Sequence, residues 1–538
     1  MRSSRYESSV NELPTSEQVT GSGAITISRK ARLLLIAAVL LALFLGALDA
    51  LVMGAAMPTI VADLGGLHLY SWVFSSYLLT RAIALPIFGK LCDLFSSKKL
   101  YIIAIVIFVI SSVLGGASRD MSQLIVFRAL QGVGAGGTFA LAYIVVADLS
   151  TPQMRGKMMG LISFVWGLAS ILGPALGGFV ITYFSWRWIF YINLPLGCGA
   201  LLGISLYLRD TREKKKGASI DYLGAATLSV AVLGLLVAFM LGGRSYPWFS
   251  LQMAGLLLVT LAATWGFYQA EKRAKEPILA LEFFRIPGFS MANISAFFSS
   301  FAIFSLSAFS PLYIQNALGK TPAQLGLAMV PLSLSWSVGA LVCGRFVNRH
   351  REKPLSILGS VMLVASTGLM LTFSTSTSLT VFSAALMLAG LGMGFVSITT
   401  LLVVQNSMEA SNLGVATSSQ QFARTLGGTL GIGISGGLVT MHLAEVLDGL
   451  IDSSLDGEMP ASLAARFTQS LESMFQPEFQ SLLSPTALKA VHEAVGSGVE
   501  MVFWSALVTS LLSLLFCCLL PEYVESSRQG LPPTSLEL

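Results

Sequence analysis

The sequence predicts an all-α polytopic membrane protein: two six-helix bundles plus two inserted helices, about 14 transmembrane helices in all. Three observations predict it. Of the 538 residues, 54% are hydrophobic and only 11% charged, whereas soluble domains carry roughly 25% charged residues. Apolar runs of about 20 residues, the length that crosses a bilayer as a helix with its backbone groups satisfied internally, recur along the whole chain. The Lys and Arg between those runs alternate between rich and poor segments, the pattern of loops on opposite sides of a membrane.

Residues 1–31 are polar and rich in Ser, with no apolar stretch before Leu33. They are expected to be a disordered cytoplasmic tail, not a cleavable signal peptide. The first bundle, 32–208, contains the runs Leu33–Met57, Tyr70–Leu91, Leu100–Ala117, Ser122–Val146, Lys157–Ile181 and Trp188–Leu208. Residues 209–286 form a basic linker and two spacer helices, Tyr222–Gly242 and Leu251–Ala270. The second bundle, 287–520, contains Gly288–Ile314, Ala323–Val347, Leu355–Phe373, Leu379–Val404, Asn412–Thr440 and Val499–Leu520. An acidic insertion, 441–498, interrupts it on the outer side, and 521–538 is a second cytoplasmic tail. Within the insertion Leu463, Phe467, Leu471 and Met474 recur at helical spacing, which fits either an amphipathic helix or a partly ordered loop.

With the N-terminus in the cytoplasm, only six of the 33 Lys and Arg fall in outer segments. Arg209–Lys216, Lys272–Lys275 and Arg349–Lys353 are all inner. Both termini are then expected to be cytoplasmic, and the expected location is a cell membrane, plasma or bacterial inner. The five cysteines, Cys92, Cys198, Cys343, Cys517 and Cys518, sit in or beside apolar runs without metal-ligand spacing. No cofactor or metal is expected, nor nucleic-acid binding. Gly134, Gly136 and Gly137 lie inside a helix with no preceding strand and no following Lys-Ser/Thr, so they are not a phosphate-binding loop. Without a nucleotide site, an ion gradient is the expected driving force.

The two bundles echo each other. Pro86-Ile-Phe-Gly89-Lys90-Leu-Cys-Asp93 ends the second run, and Gly344-Arg345-Phe-Val-Asn348-Arg349 ends the tenth. Helix n then corresponds to helix n+8, a parallel repeat of the kind that places a transporter's substrate between its halves.

Only two of the 28 acidic residues fall within spans: Glu500 at a helix mouth and Asp49. Asp49 lies about eight residues, roughly 12 Å, from the outer end of the first helix. An ionisable group at that depth is costly unless paired and is a functional candidate by default. A carboxyl group that alternates between paired anion and neutral acid is what a proton carrier requires. Arg128 in the fourth helix reaches a similar depth and is the natural partner; the competing reading is an ion pair that only fixes packing. Arg81 and Arg424, near the middle of the second and thirteenth helices, are further candidates for coupling or substrate contact. Gly173, Pro174, Gly177 and Gly178 are expected to form a packing and hinge element between the halves, since small residues admit close helix approach and proline bends a helix. Tyr77, Trp166, Asn193, Asn293, Trp336, Gln405 and Gln420 are candidates for lining the cavity, because polar side chains avoid lipid.

Five segments carry a family resemblance. Leu48-Asp49-Ala-Leu-Val-Met-Gly-Ala-Ala-Met-Pro58, Gly89-Lys90-Leu-Cys-Asp93 with Lys98 and Lys99, and Phe127-Arg128-Ala-Leu-Gln131-Gly132 occur in order. Ala169-Ser-Ile-Leu-Gly173-Pro174-Ala-Leu-Gly177-Gly178 and Trp186-Arg-Trp-Ile-Phe-Tyr-Ile-Asn193-Leu-Pro195 follow. In these the chain resembles the major facilitator superfamily, specifically its fourteen-helix drug:proton antiporter branch. The resemblance implies the major facilitator fold, proton coupling through Asp49 and Arg128, an antiporter motif at Gly173–Gly178, and a cytoplasmic gate loop at Gly89, Asp93, Lys98 and Lys99. The loop departs from the family pattern: Asp93-Leu-Phe-Ser96-Ser97 lacks its usual cations.

The expected activity is therefore export of amphipathic or lipophilic small molecules, of the multidrug efflux type, by a monomeric carrier, not an enzyme, working by alternating access. Its partners are protons, the lipid bilayer and an amphipathic substrate. With one deep acid against three deep arginines, that substrate is expected to be neutral or anionic. The alternatives are a flippase of lipids or lipid-linked molecules on the same fold, a non-transporting receptor or scaffold, and proton-driven import.

Overall fold

A computed structural model describes residues 29–454 and 485–522, apart from 66–68, 151, 210–220, 243–245, 248, 276, 280, 321, 348–350, 375 and 410–411. The first bundle comprises α1 (Arg29–Leu64), α2 (Tyr70–Leu94), α3 (Ser97–Gly116), α4 (Met121–Asp148) and α5 (Pro152–Tyr183). A one-turn α6 (Trp188–Tyr191) and α7 (Asn193–Tyr207) together make its sixth span. The spacers are α8 (Tyr222–Leu241) and α9 (Leu251–Arg273). The second bundle comprises α10 (Pro287–Leu312), α11 (Pro322–Phe346), α12 (Glu352–Met370), α13 (Leu379–Asn406), α14 (Leu413–Ser454) and α15 (Pro485–Cys518).

Polar residues start these helices where the chain emerges from the apolar runs. Ser96, Asp120, Asp221, Ser250 and Ser378 each accept a hydrogen bond from a backbone N–H in the first turn of the helix that follows. That satisfies donors the helix cannot pair internally. Thirteen described helical segments are long and apolar enough to cross a membrane. The remaining expected span lies in α14, which is richer in Gly, Ser, Thr and Gln and carries Arg424. It packs inside the protein, against α10 and α2, where such residues serve helix contact.

The packing obeys the n to n+8 correspondence. In the first bundle α4 lies between α2 and α3, and α1 packs on α5 and α7; in the second α13 lies between α11 and α12, and α10 packs on α14 and α15. Glycines make the wedges possible. A Cβ at Gly132 would strike the Tyr77 backbone and the Thr80 side chain of α2, and one at Gly134 the Phe108 backbone of α3. Gly390 and Gly392 of α13 stand in the same way against Leu332 of α11 and Leu363 of α12. The halves meet through α5 on α11 and α2 on α14, which exchange under the same correspondence. The spacer α8 touches α2 and α14, while α9 packs chiefly on α8 and is only 11% buried, placing it at the periphery.

The limits of the last two spans differ from the expectation. The thirteenth helix runs on to Ser454, and the fourteenth starts at Pro485, so both ends of the acidic insertion are helical extensions. Loss of apolar character marks where the membrane ends, but a helix leaving the membrane needs only sufficient local propensity to continue. Leu463, Phe467, Leu471 and Met474 lie outside the described residues.

Candidate functional site

Asp49 is fully buried on α1. Its Oδ2 receives Arg128 NH1 of α4 at 2.6 Å. Its Oδ1 receives Gln131 Nε2 at 2.9 Å and Asn193 Nδ2 of α7 at 2.9 Å. The same Arg128 nitrogen reaches Gln131 Oε1 at 2.8 Å, and Asn193 Nδ2 also reaches Ser112 Oγ of α3 at 2.9 Å. Spacing creates this cluster: Arg128 and Gln131 are three residues apart and so share a face of α4. The Arg128 guanidinium lies 4.1 Å over the Tyr77 ring of α2, a cation–π contact on its remaining side. Three polar donors therefore hold the carboxylate, and an aromatic face holds the guanidinium paired with it. Two valences remain unused, Arg128 Nε and Asn193 Oδ1, so the network has spare capacity to rearrange.

Tyr77 connects this cluster to a small recess within the first bundle, which it lines with Arg81, Gly46, Ala47, Thr138, Phe139 and Trp166. Arg81 sits 4.4 Å from the Phe139 ring centroid and 5.2 Å from that of Trp166. From the other half, Arg424 lies 5.6 Å from the Trp336 ring, bonds Gln421 Oε1 at 3.4 Å and reaches the Tyr143 hydroxyl of α4.

The halves are locked at one end, the face carrying Lys98, Lys99, Lys272 and Lys353. There Asp93 at the end of α2 accepts backbone N–H bonds from Gly414 at 2.9 Å and Val415 at 2.8 Å. The carboxylate thus caps α14 across the interface and complements the positive end of its dipole. Gly89 lets Ser418 and Gly414 approach α2, and Gly156 and Gly344 bring α5 and α11 into backbone contact. Lys98 and Lys99 stand in the first turn of α3, and the Lys99 N–H bonds the Ser96 side chain.

Several expected site residues are placed elsewhere. Asn193 belongs to the Asp49 cluster, not the cavity wall. Asn293 is buried and donates to the Phe289 carbonyl within its own helix. Gln405 bonds Thr417 and Gln420 bonds Thr400, so both join α13 to α14. Polarity on an apolar helix here signals helix–helix bonding as often as a cavity. Gly173 meets Leu51 of α1, within the first bundle, and Gly178 faces open space; Pro174 and Gly177 lie on the same stretch of α5. The close cross-half contacts of α5 are made instead by Gly156, Gly160 and Gly167, against Gly344, Leu341 and Ser337. Sequence reasoning did not assign Gln131 to the site, although its place one turn after Arg128 was the available signal.

The profile of the Major Facilitator Superfamily matches residues 39–432. Multidrug transporter protein MdtP of Bacillus subtilis (strain 168) is 38% identical over 78% of this chain and 79% of its own length. Multidrug resistance protein 3 of the same organism is 33% identical over 74% and 78%. The MFS-type efflux pump LUC4 of Fusarium sp is 30% identical over 76% and 74%. Among solved structures, the human organic anion transporter MFSD10 superposes with a TM-score of 0.58 at 16% identity, covering 88% of this chain and 99% of the other. The proton:xylose symporter XylE gives 0.57 at 14%, covering 91% and 96%. These two likenesses establish the fold alone. By profile, relatives and architecture together, the chain is a multi-pass membrane transporter that belongs to the Major Facilitator Superfamily.

Proposed function

We propose that this transporter exports amphipathic or lipophilic small molecules in exchange for protons, by alternating access, with Asp49 as the proton carrier and the basic face in the cytoplasm. The observation that carries the reading is the Asp49 cluster: a fully buried carboxylate held by Arg128, Gln131 and Asn193, whose arginine rests on Tyr77, a residue that also lines the adjacent recess. Protonating Asp49 removes the charge that holds Arg128 against α1. Arg128 rests on Tyr77, which also lines the recess, so the proton and a substrate would act on the same side chains. Helix α1 packs on α5, and α5 on α11, so a shift of α1 reaches the interface between the halves. The locked basic face supports the same cycle, because it supplies one of the two end states that alternating access requires. The relatives' names, multidrug transporter and efflux pump, point to the direction and class of transport. The carrier is taken to act as a monomer, since one chain supplies both bundles and the whole Asp49 cluster.

The test is transport of a lipophilic dye in proteoliposomes with an imposed pH gradient, comparing wild type with Asp49→Asn. Gradient-driven accumulation is expected in wild type and lost in the variant, while passive exchange of dye between equal pools persists. Equal gradient-driven transport by both proteins would sink the assignment.

A further inference from the structure

Arg81 and Arg424 are not needed by the proton cluster, and their surroundings are unusual. Among the described residues no carboxylate lies within ion-pair reach of either guanidinium. Nε of both arginines and Nε2 of Gln421 are buried donors with no acceptor. The two cations nevertheless approach one central region: both lie within electrostatic range of Tyr143 and of each other.

Their positions are related by the internal repeat. Gly89 of α2 against Gly414 of α14 is the counterpart of Gly344 of α11 against Gly156 of α5. Arg81 is eight residues before Gly89, and Trp336 is eight before Gly344; Trp166 is ten after Gly156, and Arg424 is ten after Gly414. The couples Arg81–Trp166 and Arg424–Trp336 therefore occupy corresponding sites in the two halves, with the cation and the indole exchanged between helices. Each half brings one guanidinium and one large aromatic face to the region where the halves meet.

Like charges held near each other away from bulk water repel strongly, and unsatisfied buried donors are costly. An oxyanion between the halves removes both penalties at once. Guanidinium groups suit it by geometry, since they bind planar oxyanions with two parallel N–H bonds. Phe139, Trp166 and Trp336 offer apolar faces beside that charge, the environment of an aromatic or lipophilic body. We propose that the region between Arg81 and Arg424 is a binding site for amphipathic organic oxyanions, with the two guanidinium groups gripping the anionic head from opposite halves and the indoles holding the body. The proposal rests on the exporter reading and names its substrate class. It also gives substrate a role in the cycle, because the anion replaces repulsion between the halves with attraction and so favours the state in which they close around it.

The test uses the full chain in nanodiscs of zwitterionic lipid, without any gradient, and measures binding by calorimetry. The probes are a series of naphthyl carboxylates from naphthoate to naphthylbutyrate, their primary amides, and naphthylmethyl-trimethylammonium. At least one carboxylate is expected to bind wild type roughly 10-fold or more tightly than its amide, the scale of a charge-assisted hydrogen bond. Arg81→Gln and Arg424→Gln should each remove most of that preference, weakening carboxylate binding far more than amide binding, with folding certified by an unchanged thermal midpoint; Arg81→Lys and Arg424→Lys should retain part of it. The proposal is overturned if no carboxylate outbinds its amide, if the cation binds tightest, or if the variants weaken amide and carboxylate alike. Failure of the exporter reading shows separately, as absence of gradient-driven dye transport in a protein that still prefers carboxylates.

Discussion

Replacing Arg128 by Gln separates what the Asp49–Arg128 pair does for stability from what it does for coupling. At 2.6 Å and an effective dielectric constant near 20, the attraction between the two charges is on the order of 6 kcal/mol. Desolvating the ions costs several kcal/mol each, so the intact pair contributes little net stability. The consequence is an asymmetry. Arg128→Gln strands a buried carboxylate with only Gln131 and Asn193 as donors, and breaking a buried pair in this way costs about 3–5 kcal/mol. Asp49→Asn strands the guanidinium, which keeps Gln131 Oε1 and the Tyr77 face but loses its counter-charge. The double variant strands neither charge. The expected order of thermal midpoints in detergent is wild type first, then the double variant, then the two single variants. Since a chain of this size does not unfold in two states, the order rather than an absolute free energy is the readout. All three variants should fail to accumulate dye against its gradient in proteoliposomes. Destabilisation by the double variant equal to the sum of the singles would refute the pair energetics. A double variant that still pumps uphill would refute the coupling role.

Three further outcomes follow from the geometry. Asp93→Asn should weaken the cap on α14 by roughly 0.3–1 kcal/mol, the loss of a negative charge at the helix N-terminus, and raise thiol labelling of cysteines introduced at the basic face. Gly344→Ala should act in the same direction and more strongly, because its Cβ would meet the Gly156 carbonyl of the opposite half; unchanged labelling would show that the face closes by other contacts. Outside the spans, Asp63 receives Arg187 at 2.8 Å and the Trp186 indole at 2.9 Å, and these bonds hold its carboxyl below the usual carboxylate range. Its stabilising contribution is therefore present above the ordinary aspartate value, about 4, and is lost as pH falls through the lowered one; Asp63→Asn should flatten the acid limb of a plot of thermal midpoint against pH.

The parts of the site that were legible in the sequence share a physical origin. Asp49 and Arg128 stood out because a charge in hydrocarbon has few innocent explanations, and counting residues from the helix ends gave them equal depths. Gln131 and the true position of Asn193 were not legible in that way. A neutral amide inside an apolar helix is equally at home in a cavity wall, in the Asp49 cluster, or bridging two helices as Gln405 and Gln420 do. Only the rotation of each helix about its axis decides, and no periodicity fixes that rotation when helices such as α4 and α13 are buried on most sides. The end of α14 was misplaced for a related reason, since hydropathy reports where lipid ends and not where the backbone stops being helical.

The repeat settles what single residues cannot. By the register of its glycines, Gly132 corresponds to Gly390 and Gly134 to Gly392, so the position of Arg128, four residues before Gly132, is occupied in the second half by Leu386. Leu386 is fully buried among apolar neighbours. The second half therefore has no basic partner that a carboxylate could use at the corresponding place, and the charged cluster belongs to the first half alone. The cavity residues behave differently: Arg81 and Arg424 survive as cations in both halves, but on non-equivalent helices. A charge that serves one half's internal chemistry needs no counterpart, whereas two cations that must meet the same ligand have to come from both. That difference separates the two roles, and it is visible only once the halves are in register.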